Sequence, residues 1–453
     1  MMNTVYEQAR ELPVVQDCDV VVCGGGPAGV AAAITAARAG ARTQLIELNG
    51  CLGGVWTAGL LCWIIDARDK PGVMQEIITR LNARGACTID EKKIVDFEAE
   101  PLYRGKDLER DFSYDPEAMK LLLEEMCAEA GVIVRLHTRV VAAAKDDRNR
   151  AAFVITESKS GREAWTARTF IDCTGDGDLA ARLGCGFDMG RPDSGQVQPM
   201  TLMMLVTGID AQAVEPYITE WHAGLNPPKQ RLLEAIRQGG FDISYTKPCL
   251  MRIYDNLFVM AVNHEYGVMC DDADAISQAT LRARGELHRT VNALRALGGI
   301  WAGLRIVATG EQIGVREGRR IHGRYTVSRD DLIEGAQQPD SVARVTFPVD
   351  VHSTDKDKDK SYSREGVTAK PYDIPLRALI ARDVDGLLLA GRCISGDFIA
   401  HASYRVTGNA VAMGQCAGAC AAQAALSNQL PHEVAYADVA ETVERVTGTR
   451  VAS

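Results

Sequence analysis

Apolar and polar positions change period several times along this chain, and each change marks an element. Val20 to Cys23 is a short, β-branched apolar run, which predicts a strand buried on both faces. Residues 1–17 lead into it. Small helix formers from Val30 to Ala39 predict a helix, and Gln44 to Ile46 predict a second strand that ends at Glu47. Helical spacing returns over 73–84 and again from Glu117 to Ala130, where Asp115-Pro116 opens the helix and Gly131 stops it. The stretch 85–112 between these helices is polar and turn-rich. Val132 to Leu136 and Val140 to Ala144 predict strands, and 152–157 with 164–170 predict a hairpin. Phe170-Ile-Asp-Cys-Thr-Gly-Asp-Gly-Asp178 is a further strand-to-loop signal.

Between about 200 and 370 the pattern shifts to mixed strands and one Arg- and Glu-rich helix, Ala275 to Leu297. The earlier style returns with Gly386 to Gly391, a buried strand, and Val411 to Ala425, a helix of Ala and Gly suited to close packing on a sheet. An α/β fold follows, with a Rossmann-like nucleotide domain in two parts, 1–199 and 371–453. A mixed α+β substrate domain, 200–370, is inserted between them. The polar segment 352–366 reads as a mobile loop whose alternating Asp and Lys face solvent; an active-site lid is the other reading.

The first strand, helix and second strand carry the chemistry of a dinucleotide site. Gly24 allows a tight bend, Gly26 lets the backbone approach a pyrophosphate, and Gly29 lets the helix pack close to the strand. Pro27 and Ala28 open the helix whose dipole and free N–H groups would meet the phosphates. Glu47, eighteen residues past Gly29, is placed to accept from ribose hydroxyls, with Leu48 next to it. A structural βαβ turn is the alternative, and Glu47 alone does not separate FAD from NAD.

Composition narrows the class. At 453 residues the chain is long enough for two or three domains, and 46 % hydrophobic with 24 % charged residues suits an α/β enzyme. A formal charge of −10 argues against a general nucleic-acid surface. No window is long and apolar enough for a membrane span, and the N-terminus lacks the organisation of a signal peptide. Thirteen cysteines without framework spacing read as reduced thiols of a cytoplasmic protein, and no Cys/His spacing suggests a metal.

Four motifs taken together, the opening βαβ, FIDCTGDGD, IGVREGRRIHGRY with FPVDVH, and LLLAGRCISGD…HASYRVTGNAVAMGQCAG, carry a resemblance. The chain resembles the FAD-dependent oxidoreductases of the glutathione-reductase-like class, in particular soluble relatives of fumarate reductase and succinate dehydrogenase flavoprotein subunits. That resemblance implies an FAD-binding domain of the glutathione-reductase type. It implies that Thr174, Gly175 and Asp176 lie beside the dinucleotide, and that Gly53, Gly54 and Thr57 belong to the loop beneath the flavin ring. Gly391 and Arg392 would lie over the ribityl and pyrophosphate, and Val140 completes the cofactor set. Gly408, Asn409 and Ala410 open the last helix, whose N–H groups and dipole suit the charge that accumulates near flavin N1 on reduction.

HASYRVTGNA is similar to the H-x-x-x-R-x-x-x-N segment of fumarate reductases, which implies that Arg405 grips a substrate carboxylate, with His401 four residues earlier. An Arg–Asp pair holding the final helix is the alternative. Arg316, Glu317, Arg319 and Arg320 form either an anion clamp, with Arg316 foremost, or a buried ion-pair network. Asp350 and His352 share a strand face, two residues apart, as a general base and its orienter would. His264, at the end of another apolar strand, is a further candidate.

Departures from the relatives matter too. Val55-Trp56-Thr57 stands where covalently flavinylated members carry a His, so the FAD is expected to be non-covalent. Cys51 and Cys62 are eleven residues apart, unlike a redox dithiol. No second Gly-rich βαβ appears, so the electron partner is O₂, a quinone, a protein or a nicotinamide entering the substrate side. The expected protein is an FAD-dependent oxidoreductase, its oligomeric state left open by the sequence, that acts on a small polar or anionic molecule at a C–OH or C–N bond. Enoate reduction is the alternative; an RNA-modifying flavoprotein and a non-catalytic FAD subunit are rivals of other classes.

Overall fold

The computed structural model describes residues 4–87, 112–219 and 227–451. The polar stretch 85–112 falls almost wholly outside the described residues. Val14–Cys23 lies at the centre of the larger sheet, parallel to Thr43–Ile46 on one side and to Gly161–Asp172 on the other. Ile133–Arg135 adds a parallel strand beyond Thr43–Ile46. The long strand Gly161–Asp172 divides its far edge. Its first half pairs antiparallel with Ala151–Ser158, which in turn pairs with Arg139–Lys145, and its last three residues run parallel to Leu387–Leu389.

Val20, Val21 and Val22 are fully buried, as a strand covered on both faces requires. The strand opens at Val14 rather than Val20, because its early residues pair with Ala164–Ala167 at the rim, where apolar side chains are not needed. The helix Pro116–Ala130 is capped by the Asp115 carboxylate, which accepts from Glu117 N–H, and it stops at left-handed Gly131.

The Ala- and Gly-rich helix, Thr407–Ser427, packs chiefly on the helix Pro27–Arg38 rather than on the sheet alone. A Cβ at Gly414 would stand 2.1 Å from the Ala28 carbonyl oxygen, and one at Gly418 would stand 2.2 Å from that of Ala32. The small residues therefore allow two helix backbones to touch. That contact fixes the N-terminus of each helix relative to the other.

A second core draws on residues from Met200 to Ile313. Its antiparallel sheet orders Cys249–Tyr254, Leu257–Ala261, Met204–Thr207 and Arg305–Thr309, and the helices Pro227–Gln238 and Ala273–Ala296 pack with it. Period-two alternation divides this stretch: Met204 and Val206 enter this core, while Met203 and Leu205 form a smaller cluster with Leu60 and Cys62. Ile321, Val327, Leu332, Val345 and Val351, from the segment 320–370 that sequence assigns to the insertion, pack in the core of the larger sheet. The segment 352–366 contains a short hairpin, Val351–His352 with Tyr362–Ser363; its tip, 356–359, and its last residues, 363–366, are exposed.

Candidate active site

One cavity runs from the turn after the first strand to the gap between the two cores. Its first half is a glycine-lined cradle. Gly24 adopts φ +101°, and a Cβ there would collide with the Cys173 carbonyl. A Cβ at Gly29 would stand 1.7 Å from the Gly24 oxygen, so this glycine serves the turn and does not line the cavity. Gly26 differs: a Cβ there would meet nothing within 4 Å, and the space it would enter is the cavity at the N-terminus of the Pro27–Arg38 helix. Open space at a helix start is what a pyrophosphate needs.

Pro27, Ala28, Glu47, Leu48, Gly54 and Val140 line the same half, with Thr174, Gly175, Gly391, Arg392 and Ala410. Glu47 accepts from Gly25 N–H at 2.5 Å and from Asn49 N–H at 2.7 Å, so its carboxylate also organises the turn. Gly53, Thr57, Asp176, Gly408 and Asn409 stand behind this wall. Thr57 donates to the Leu52 carbonyl, and Asp176 accepts from Arg392 Nη2 at 2.7 Å. Gly408 allows the helix Thr407–Ser427, which is followed by a further helix, Tyr436–Thr447, and so is not the last, to press on the Asp66 carbonyl, to which a Cβ would approach within 2.1 Å. Asn409 is fully buried and has no hydrogen-bond partner for either amide atom.

The second half of the cavity brings together Arg316, Asp350, His352 and Arg405, from three separate segments, with Tyr245, Tyr362 and Lys229. Arg405 Nη2 donates to the Asp350 carbonyl oxygen at 2.9 Å and to its Oδ2 at 3.2 Å. The same Oδ2 lies 3.2 Å from His352 Nε2. Arg316 Nη1 donates to the Pro199 carbonyl at 2.6 Å and to Thr201 Oγ1 at 2.8 Å, and among the described residues no carboxylate hydrogen-bonds to it. The neighbouring arginines are ion-paired: Arg320 with Glu317, and Arg319 with Asp178 and Asp271.

His401 is the exception among the sequence candidates. It is fully buried on the helix Phe398–Tyr404, packs edge-on against Tyr404, and does not line the cavity. Burial pushes its pKa down, so it is a neutral imidazole within the core, and a substrate cannot reach it as an acid or base. Asp350 and His352, in contrast, both line the cavity.

A family model described as FAD dependent oxidoreductase matches residues 19–443. The chain belongs to the FAD dependent oxidoreductase family. Its cofactor is FAD, and the glycine cradle with its open helix start fits that group. Curated relatives match over short stretches. A mitochondrial dihydrolipoyl dehydrogenase of Caenorhabditis elegans is 52 % identical over 46 residues, 10 % of this chain and 9 % of that protein. Dihydrolipoyl dehydrogenase of Trypanosoma brucei brucei is 51 % identical over 45 residues, again 10 % and 9 %. The chain thus spans about a tenth of the length of those relatives.

Similar solved structures include a geranylgeranyl bacteriochlorophyll reductase-like protein of Thermoplasma acidophilum. It has 13 % identity, 96 % of this chain and 84 % of that one covered, and a TM-score of 0.45. A p-nitrophenol 4-monooxygenase of Pseudomonas putida DLL-E4 has 12 % identity, 96 % and 87 % covered, and a TM-score of 0.47. Among the described residues of this flavoenzyme, no helix is long and apolar enough to cross a membrane, and no cluster of side chains is arranged to hold a metal ion.

The charges of the flavoenzyme's inner cavity act on one another. Burial pushes the Asp350 carboxyl up, but His352, Arg405 and Arg316 outweigh it and hold the group far below the usual carboxylate range. Burial and the Arg316 charge push His352 down to about 4, against the pull of Asp350. Burial and Arg405 bring Arg316 down to about 10, so it keeps its charge at neutral pH. Tyr245, Tyr362 and Lys229 carry no local motif. They reach the cavity only because the four-stranded sheet, its helix and the 351–363 hairpin converge on it, which no sequence spacing reveals.

Proposed function

We propose that this flavoenzyme oxidises a C–OH or C–N bond of a small organic anion. The observation that carries this reading is Arg316: a cavity-lining guanidinium held by a carbonyl and a hydroxyl, with no carboxylate hydrogen-bonded to it among the described residues. A guanidinium left charged in a partly buried wall favours a carboxylate-bearing ligand, through charge-assisted and often bidentate hydrogen bonds.

Bound non-covalently along the glycine cradle, FAD supplies the hydride acceptor. Arg316 anchors the anion and so fixes which carbon faces the ring. Asp350, oriented by Arg405 and backed by His352, receives the proton that leaves the substrate oxygen or nitrogen. The tilt towards oxidation rests on Arg405, whose Nη2 is engaged by Asp350. In the resemblance to fumarate reductases that arginine would grip the substrate. The electron partner would be O₂, a quinone, a protein or a nicotinamide.

The test is anaerobic bleaching of the bound flavin by a panel of hydroxy acids, amino acids and sugar acids, each beside its neutral alcohol, amine or ester. Bleaching by acids and not by their neutral counterparts is the expected result. Equal bleaching by both sets would overturn the anion reading. Reoxidation of the dithionite-reduced enzyme by an enoate, with no bleaching by any donor, would move the assignment to enoate reduction.

A further inference from the structure

Behind His352 the hydrogen bonds continue away from the cavity. His352 Nδ1 lies 3.0 Å from His264 Nε2, His264 Nδ1 lies 3.1 Å from Tyr266 Oη, and Tyr266 Oη lies 3.1 Å from the Ser244 carbonyl oxygen. With the Asp350 contact this makes an unbroken line from the cavity wall to a half-buried tyrosine. Neither His264 nor Tyr266 lines the cavity, so neither touches substrate.

Both imidazoles are held in place. Tyr245 stacks on His264 with ring centroids 4.0 Å apart, and His264 N–H donates to Ser244 Oγ. Ser244 is itself anchored by donating from N–H and Oγ to the Glu286 carboxylate, at 2.6 and 2.8 Å. His352 N–H donates to Gln198 Oε1 at 3.0 Å. The charged and titratable groups around the line are Asp350, Arg405 and Arg316 at its inner end, and Glu286 and Asp359 near Tyr266.

Counting protons shows what the line can do. A neutral imidazole has one donor and one acceptor nitrogen. If His352 donates from Nε2 to Asp350, its Nδ1 must accept, so His264 must carry its hydrogen on Nε2. His264 Nδ1 then accepts from Tyr266 O–H, and the Ser244 carbonyl goes without that donor. One added proton reverses each inner link. His352 then donates from both nitrogens, His264 accepts at Nε2 and donates from Nδ1, and the Tyr266 hydroxyl turns to Ser244. The same heavy-atom positions serve two fully connected forms that differ by one proton.

We propose that His352, His264 and Tyr266 form a proton wire between Asp350 and Tyr266 that serves the hydride transfer. This rests on the assignment of Asp350–His352 as the acid/base pair. When Asp350 takes the substrate proton it becomes the donor to His352, so the neutral line first turns over, placing the hydrogens of His352 and His264 on Nδ1; the proton then passes from Asp350 to the freed His352 Nε2, which generates the charged form. Three hops then discharge it: His352 Nδ1 to His264 Nε2, His264 Nδ1 to Tyr266 Oη, and Tyr266 Oη to solvent. One proton enters at Asp350 and one leaves at Tyr266, while the electron pair leaves the substrate carbon with the hydride. The reverse run brings a proton in. His264 and Tyr266 are thus positioning residues that act through His352.

The wire makes a statement about tautomers that needs no substrate. In ¹⁵N-histidine NMR of the FAD-loaded enzyme at neutral pH, both His352 and His264 should carry hydrogen on Nε2. As pH falls, His352 should gain its second proton in the same step in which His264, still neutral, moves its hydrogen to Nδ1. Tyr266→Phe should abolish that switch while the protein stays yellow. Should Tyr266→Phe lose its flavin, His264→Gln serves instead, and His352 should then titrate alone.

A His264 that holds one tautomer throughout, or a switch that survives Tyr266→Phe, overturns the wire. Failure of the acid panel to bleach the flavin leaves these tautomers untouched, so the two readings fail separately.

Discussion

Arg405 binds Asp350 at two points, the backbone carbonyl and the carboxylate, with a single nitrogen. That pairing gives the arginine a task inside the protein: it fixes the carboxylate that faces the cavity and keeps it ionised. Arg405→Gln should therefore leave FAD in place and act on titration. Without the guanidinium charge, His352 should protonate at higher pH, read from ¹⁵N-histidine NMR. Loss of the flavin instead would give Arg405 a role in holding the cofactor.

Arg316→Gln should separate substrate from cofactor. Hydrogen bonds to a charged group are worth roughly 1.5–3 kcal/mol, so affinity for the anionic donor should fall by about 10- to 100-fold. Arg316→Lys should recover part of it. The measurement is the concentration dependence of flavin bleaching, with the oxidised spectrum as the control for bound FAD.

Two glycines should respond in opposite ways. Gly26 has an ordinary extended backbone (φ −71°, ψ −173°) and open space beside it, so Gly26→Val should fold while losing FAD affinity by about 10²-fold or more. Gly414 has the Ala28 carbonyl against it, so Gly414→Val should lower stability by on the order of 3 kcal/mol. Flavin titration reads the first effect and urea unfolding the second.

Acid should destabilise the fold early. Folded His352 titrates near 4 against an ordinary 6.5, so below 6.5 the unfolded chain binds more protons, and stability falls as pH drops from about 6.5 towards 4. His264 shifts in the same direction and steepens the loss. Asp350, with a depressed folded pKa, contributes stability that is present above an ordinary 3.8 and goes at still lower pH. Unfolding midpoints measured across pH 4–7 should fall with acid, and His352→Gln should flatten the slope.

The cofactor half was legible in sequence because its constraints are local. A tight turn needs Gly24, close packing needs Gly29, and an open helix start needs Gly26, all within one βαβ unit. That Asp350 and His352 both face the cavity was legible for a similar reason, since residues two apart in an extended segment share a face. His401 was misread because a motif spacing does not reveal which side of a short helix is buried. The links from His352 to His264 and on to Ser244 were hidden, because sheet pairing and the hairpin bring together residues up to about ninety positions apart. Residues 320–370 joined the first core through their apolar side chains, although sequence order places them with the insertion.

The contact between Gly414 and Gly418 and the backbone at Ala28 and Ala32 also has a consequence for biosynthesis. The N-terminal βαβ unit leaves the ribosome long before its helix partner has been translated. Until Thr407–Ser427 emerges, the helix Pro27–Arg38 exposes an apolar flank that calls for chaperone cover. The cleft also lacks the wall formed by Ala390–Arg392 and Ala410. Flavin capture is therefore a late event in the life of the chain, and truncations that remove Thr407–Ser427 should yield apoprotein bound for degradation.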